Sequence, residues 1–211
     1  MRALLFLLLL TFFNASYSQN NSDLTDLEKA HINALHQSGI EKSNVKDYTG
    51  AIADFDKAIE LLPNNYSLHF NRGIVKSLIR DEMGAIADFN KAIEIQPDSA
   101  EAFFNRGVSK FELKDNRGAL LDYDRAIKLS PNQWKYFYTR GKLKATLLDF
   151  KGGLSDINKS LKLNPASGES YLIRGLIKTQ MNDYPSACLD WSKAGELGQV
   201  EAYEEIKKYC N

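Results

Sequence analysis

The chain has 211 residues, 44% of them hydrophobic, and 27 Lys plus Arg balance 27 Asp plus Glu. That is enough apolar material to bury a core of domain size. The balanced charge excludes a global field that would draw the chain to nucleic acid or to an anionic membrane surface.

At the N-terminus, Met1-Arg2 leads into an apolar run from Ala3 to Phe13, followed by polar residues 14–21. This pattern reads as a secretory signal peptide over residues 1–18, with Ser16 and Ser18 at the −3 and −1 places before Gln19. A membrane anchor is the alternative, but it needs about 20 apolar residues and this run is shorter. The expectation is therefore an exported chain with no stable membrane insertion after cleavage. No cysteine adjoins the cleavage site to carry a lipid. Residues 19–31 form a leader and the start of the first helix.

From there a 34-residue period runs without insertion through units 32–65, 66–99, 100–133, 134–167 and 168–199. It is carried by Gly39, Gly73, Gly107, Gly141 and Gly175, by Pro63, Pro97, Pro131 and Pro165, and by Asp54, Asp88, Asp122, Asp156 and Asp190. A period of this length means one supersecondary element per unit, whose apolar face is buried only by stacking. The first helix of each unit holds the glycine, as in FNRGIVK (70–76). A mid-helix glycine costs about 1 kcal/mol, which close approach of the paired helix would offset. Ala51, Ala85, Ala119 and Ala187 are the small residues expected opposite.

The second helix, as in GAIADFDKAIELLP (50–63), shows the i, i+4, i+7, i+8 stripe of an amphipathic helix and stops at the proline. Asp47, Asp81, Asp115, Asp149 and Asp183 precede these helices. N-capping explains them, contributing about 1 kcal/mol each. A ring of metal-binding carboxylates is the alternative, but a 34-residue spacing keeps them apart along a stack.

Arg72, Arg106, Arg140 and Arg174 lie four residues before Lys76, Lys110, Lys144 and Lys178 on the same helical face, and such cations repel unless an anion intervenes. Two readings compete. One is an internal ladder in which Asp54, Asp88, Asp122, Asp156 and Asp190 neutralise these cations. The other is a basic strip for a polyanion. The repetition of the anions with the cations favours the ladder.

With these motifs in place, the chain resembles the tetratricopeptide repeat family over roughly residues 32–201. The resemblance rests on a bulky residue four before the glycine (Phe103, Phe137, Tyr171), the glycine, the Ala-x-x-x-aromatic pairs (Ala51/Phe55, Ala85/Phe89, Ala119/Tyr123, Ala187/Trp191) and the closing proline. The family usually places Leu before the glycine and Tyr three after it, where this chain has Arg and Lys. The implied fold is all-α: a right-handed α-solenoid of five antiparallel helix pairs with a capping helix over residues 200–211. The implied function is non-enzymatic binding of a protein or peptide in a concave groove. The groove stripe would present Phe70, Ile74, Phe104, Val108, Phe111, Tyr138, Lys142 and Leu172, with Asn71 and Asn105 as amides for a bound backbone. The opposing reading is that these side chains pack between units. The family's clamp for an acidic C-terminal peptide needs Lys and Asn in the first two units. His36, Ile40 and Asn71 stand there, so that specificity is not implied. An envelope carbohydrate or enzyme-accessory role, with the aromatics as stacking platforms, is the rival function.

Past Trp191 the chain turns near Gly198 into a last helix with a charged outer face. A hairpin there brings Cys188 and Cys210 to one level, open to a disulfide or to two buried thiols. Cys188-Leu189-Asp190-Trp191 and Tyr209-Cys210 resemble exported bacterial members of the family, which implies a periplasmic or secreted protein. No metal or cofactor is expected. His31 and His36 are five apart, off a common helical face, and no phosphate loop, nucleophile elbow or carboxylate pair is present.

Overall fold

The computed structural model describes residues 24–210, so the signal-peptide reading of residues 1–18 lies outside the described residues. Among the described residues there are eleven helices and no strand. They are α1 (Asp26–Asn44), α2 (Tyr48–Leu61), α3 (Tyr66–Leu78), α4 (Glu82–Ile95), α5 (Ala100–Glu112), α6 (Asn116–Leu129), α7 (Trp134–Thr146), α8 (Phe150–Leu163), α9 (Gly168–Gln180), α10 (Tyr184–Glu196) and α11 (Glu201–Tyr209). The chain divides within α5, between Ser109 and Lys110, into two compact units.

In the first unit α1 packs on α2, α2 on α3 and α3 on α4. The core is built from Ile32, Ala51, Phe55, Ala58, Leu68 and Val75. Phe55 is wholly buried, which contributes about 1.5–3 kcal/mol. In the second unit α7 packs on α8, α8 on α9, α9 on α10 and α10 on α11. Ile157, Leu161 and Ile177 form one cluster, and Ala187, Trp191, Ala194 and Ala202 another.

The turn inside each pair follows one rule. The helix closes with a residue at positive φ: Lys46, Arg80, Lys114, Leu148 or Asn182. The next N–H then bonds back to a carbonyl five residues earlier, as in Asp47 N to Lys42 O at 2.8 Å, a Schellman-type closure. That same Asp caps the second helix. Asp47, Asp81, Asp115 and Asp149 accept from the N–H of Gly50, Gly84, Gly118 and Gly152 at 2.9–3.0 Å. A Cβ on those glycines would sit 2.1–2.2 Å from Oδ2, the other oxygen of the capping carboxylate. In the last pair Ser186 takes the glycine's place, and its bond to Asp183 lengthens to 3.3 Å.

Leu148 is a bulky side chain at φ 66°, 74% exposed. Its left-handed conformation costs about 1–2 kcal/mol, and a side chain so exposed offsets little of that by burial. Leu148→Gly is therefore expected to raise stability by about 0.5–1 kcal/mol, net of glycine's larger unfolded-state entropy. A melting temperature equal to or below that of the parent chain would refute this.

The glycines of the first helices correct one expectation. The atoms that crowd them belong to the aromatic four residues beyond the alanine. A Cβ on Gly39 would lie 2.7 Å from the Phe55 ring, on Gly73 2.9 Å from Phe89, and on Gly175 2.3 Å from Trp191 Nε1. Helical side chains lean toward their own N-terminus, which carries the ring past the alanine and onto the partner glycine. Where Ile157 replaces the ring, the two backbones meet instead: a Cβ on Gly153 would be 2.9 Å from the Gly141 carbonyl.

At the C-terminal end Cys188 and Cys210 are joined by a disulfide, with a Cα–Cα distance of 5.7 Å. Tyr209 lies between Tyr184 and Trp191, ring centroids 5.8 and 5.7 Å away. The bridge closes a segment with a sequence separation of 22, which restricts the unfolded chain by about 3 kcal/mol in the chain-entropy account. Cys188→Ser/Cys210→Ser should lower stability by about that amount in urea unfolding. A change below about 0.5 kcal/mol would mean that packing of Tyr209 and Ala202 alone holds α11.

Candidate binding face

The repeated charges are engaged inside each unit. In the first, Arg72 forks onto Asp88, with Nε to Oδ2 at 2.9 Å and Nη2 to Oδ1 at 2.5 Å. Lys76 reaches the same carboxylate at 2.8 Å. His69 adds its Nδ1 at 3.4 Å while its Nε2 meets the Pro63 carbonyl at 2.8 Å. Burial works to raise the Asp88 carboxyl, but hydrogen bonds from His69, Arg72 and Lys76 outweigh it and hold it well below the ordinary range. In the first pair Ser38 occupies the arginine place, and Ser38 and Lys42 both meet Asp54 at 2.6 Å. In the second unit Lys110 pairs with Asp122 at 2.8 Å. Arg140 and Lys144 hold Asp156, and Arg174 and Lys178 hold Asp190.

A second column also accepts from each arginine. Its Nη1 donates to a residue sixteen earlier, on the second helix of the preceding pair: Asp56 to Arg72, Asn90 to Arg106, Asp124 to Arg140 and Asn158 to Arg174. Arg72, Arg140 and Arg174 thus each tie their own pair to the one before it. Sequence reasoning missed this column, although the signal was present two residues after each ladder Asp. In the first described pair Ser38 stands at the arginine place, and Ser192 stands two residues after Asp190.

With Gly, Asp, Arg and Lys engaged, the remaining stripe on the first helices is partly open. In the first unit Phe70, Asn71, Ile74, Phe104, Asn105 and Val108 are all half-buried. Phe70 stacks on Tyr66 at 5.3 Å and tilts against Phe89 at 5.9 Å, so one side of its ring is occupied by packing. The two amides are not fully available for a bound backbone. Asn71 donates to His36 Nε2 at 2.8 Å, and Asn105 donates to the Glu101 carbonyl of its own helix at 2.8 Å. Burial lowers the His36 pKa, which favours the neutral ring whose Nε2 accepts. A small hollow of about 100 Å³ opens among Ile40, Ser43, Asn71 and Ile74.

In the second unit Phe111, Tyr138 and Leu172 are half-buried and Lys142 is exposed. Tyr138 packs against the Ile157 cluster and Leu172 against the Trp191 cluster. Burial, then the charge of Glu169, raises the Tyr138 pKa. Beside them lies a hollow of about 380 Å³ lined by Lys142, Phe150, Ile173, Leu176 and Ile177, within the size range of ligand pockets. Among the described residues no three His, Cys, Asp or Glu side chains gather as a metal site, and no helix is long and apolar enough to cross a membrane.

These features define an all-α solenoid of helix pairs, with its repeated polar residues turned inward to hold the pairs and a variable stripe left on the first helices. Residues 83–114 match the profile described as TPR repeat, and residues 100–133 that described as Tetratricopeptide repeat. Residues 83–133 are thus tetratricopeptide repeats. No curated protein matches it in sequence. Among solved structures it is similar to MamA (41-end) from Desulfovibrio magneticus RS-1, at 17% identity and TM-score 0.73, covering 82% of this chain and 96% of that one. It is also similar to YrrB, described as a TPR protein with an unusual peptide-binding site, at 20% identity and TM-score 0.69, covering 82% and 90%. The first TPR of Spaghetti (RPAP3), bound to HSP90 peptide SRMEEVD, matches at 24% identity and TM-score 0.55, covering 56% of this chain and 94% of that one. At these identities the likeness is one of fold.

Proposed function

We propose that the chain is an exported, non-catalytic scaffold that holds a protein or peptide partner on the stripe of its first helices. The observation that carries this reading is the division of labour between columns. Repeating side chains are engaged within the protein, whereas the non-repeating ones remain partly open, with aromatic and aliphatic character suited to anchoring a partner. Peptide binding in YrrB and in the Spaghetti domain supports it by analogy of fold. Export rests on residues 1–18, and N-terminal sequencing of the secreted chain should begin at Gln19.

Crosslinking in envelope extract tests the binding role. A polypeptide captured by the parent chain should be lost from the Phe70→Ala/Phe104→Ala/Tyr138→Ala variant, with circular dichroism showing that the variant is folded. Identical capture by both would sink the reading. Loss of cell-wall glycan binding with no polypeptide lost would instead favour a carbohydrate-binding role.

A further inference from the structure

Lys142 breaks its own column. The corresponding places in the other repeats hold Ile40, Ile74, Val108 and Leu176, all aliphatic. Its side chain is exposed, and among the described residues no hydrogen bond or ion pair engages its ammonium. Lys144, two residues on, is by contrast held by Asp156 at 2.8 Å. The open cation sits at the rim of the hollow of about 380 Å³, whose apolar wall is Phe150, Ile173, Leu176 and Ile177. Lys142 is thus the charged residue among those that line the hollow.

We propose that this hollow docks an internal segment of a partner protein in which a bulky aliphatic side chain neighbours a Glu or Asp. The aliphatic group fills the apolar wall and the carboxylate meets Lys142. This deepens the scaffold reading and rests on it. Apolar burial supplies affinity, while the single charge at the rim supplies selection between acidic and basic segments.

The test uses the full chain and fluorescence anisotropy with three short, labelled, C-terminally amidated peptides, built on repeating Glu-Leu, Lys-Leu or Glu-Ser pairs. The Glu-Leu probe should bind roughly tenfold more tightly than either of the others. Lys142→Glu should reverse the order of the Glu-Leu and Lys-Leu probes, and Leu176→Asp should weaken both. Lys142 and Leu176 are exposed, so both variants should keep the parent melting curve. Equal binding of the Glu-Leu and Lys-Leu probes, binding of none, or an unchanged order in Lys142→Glu overturns the proposal. So does binding that requires a free C-terminus, or equal competition by alginate, an acidic polysaccharide without apolar side chains. If the probes fail while the envelope crosslink still depends on the aromatic stripe, this proposal alone falls. If that crosslink fails too, the scaffold reading falls with it.

Discussion

Asp88→Ala should destabilise the protein by about 3–5 kcal/mol, because it leaves one buried and two mostly covered partners without their shared acceptor. The Asp88 side chain is only 4% exposed, with Arg72 and Lys76 at 17% and 19%. His69 is buried beside them. Removing the carboxylate leaves a guanidinium, an ammonium and an imidazole with too little water to replace it. Asp56→Ala, which removes the other carboxylate on Arg72, should cost under about 1 kcal/mol, since Asp56 is 49% exposed and solvent compensates. The contrast between the two variants is the test. Equal losses would mean that the cations are not held chiefly by Asp88.

A pH dependence follows with a definite sign. The folded state holds the Asp88 carboxyl below its unfolded value, so its contribution is complete above about pH 4 and is lost as pH falls toward the folded value. Asp54 is shifted in the same direction: burial opposes ionisation and hydrogen bonds from Lys42 and Ser38 outweigh it. The midpoint of urea unfolding should therefore fall on acidification below about pH 4, and fall less steeply in Asp88→Ala. Parallel profiles for the two proteins would contradict the assignment.

Trp191→Ala should cost about 3–5 kcal/mol, the range for truncating a fully buried large aromatic. Trp191 has no exposed surface, packs with Ala187, Ala194 and Ala202, and lies tilted against the Tyr209 ring. Trp191→Phe should behave differently. The indole Nε1 is buried without a hydrogen-bond partner and faces the Cα of Gly175. A phenyl ring, as found at Phe55 and Phe89, removes that unsatisfied donor but leaves a small void. The two effects are each of order 1–2 kcal/mol and opposite, so the net change should lie within about 1 kcal/mol of zero. Equilibrium urea unfolding of both variants separates the ring's packing from its polar edge. A Phe variant as unstable as the Ala variant would show that the indole's full area is required.

The repeat itself, the helix pairs, the Asp caps and the ladder residues were legible because each recurs in one register along the chain, and a 34-residue period admits one local geometry per unit. Cys188 and Cys210 were legible only as a possibility. Their pairing depends on how α11 folds back on α10, which the positive φ of Gly198 and the seat of Tyr209 decide. The partner of the mid-helix glycines was misread because spacing identifies a small residue opposite, whereas side-chain lean determines which atom arrives. The Asp56, Asn90, Asp124 and Asn158 column was present in the sequence but meaningless there, since its arginine lies on another helix. Sequence periodicity alone determined which residues recur and thus the helix-pair architecture. Only the tertiary structure decided that Asn71 bonds to His36, that Arg72, Arg140 and Arg174 each link two pairs, and that Lys142 is left open beside an apolar hollow. The physical reason is that helical period is a local property of the backbone, while the pairing of a charge depends on which side chains other helices bring within about 3 Å of it.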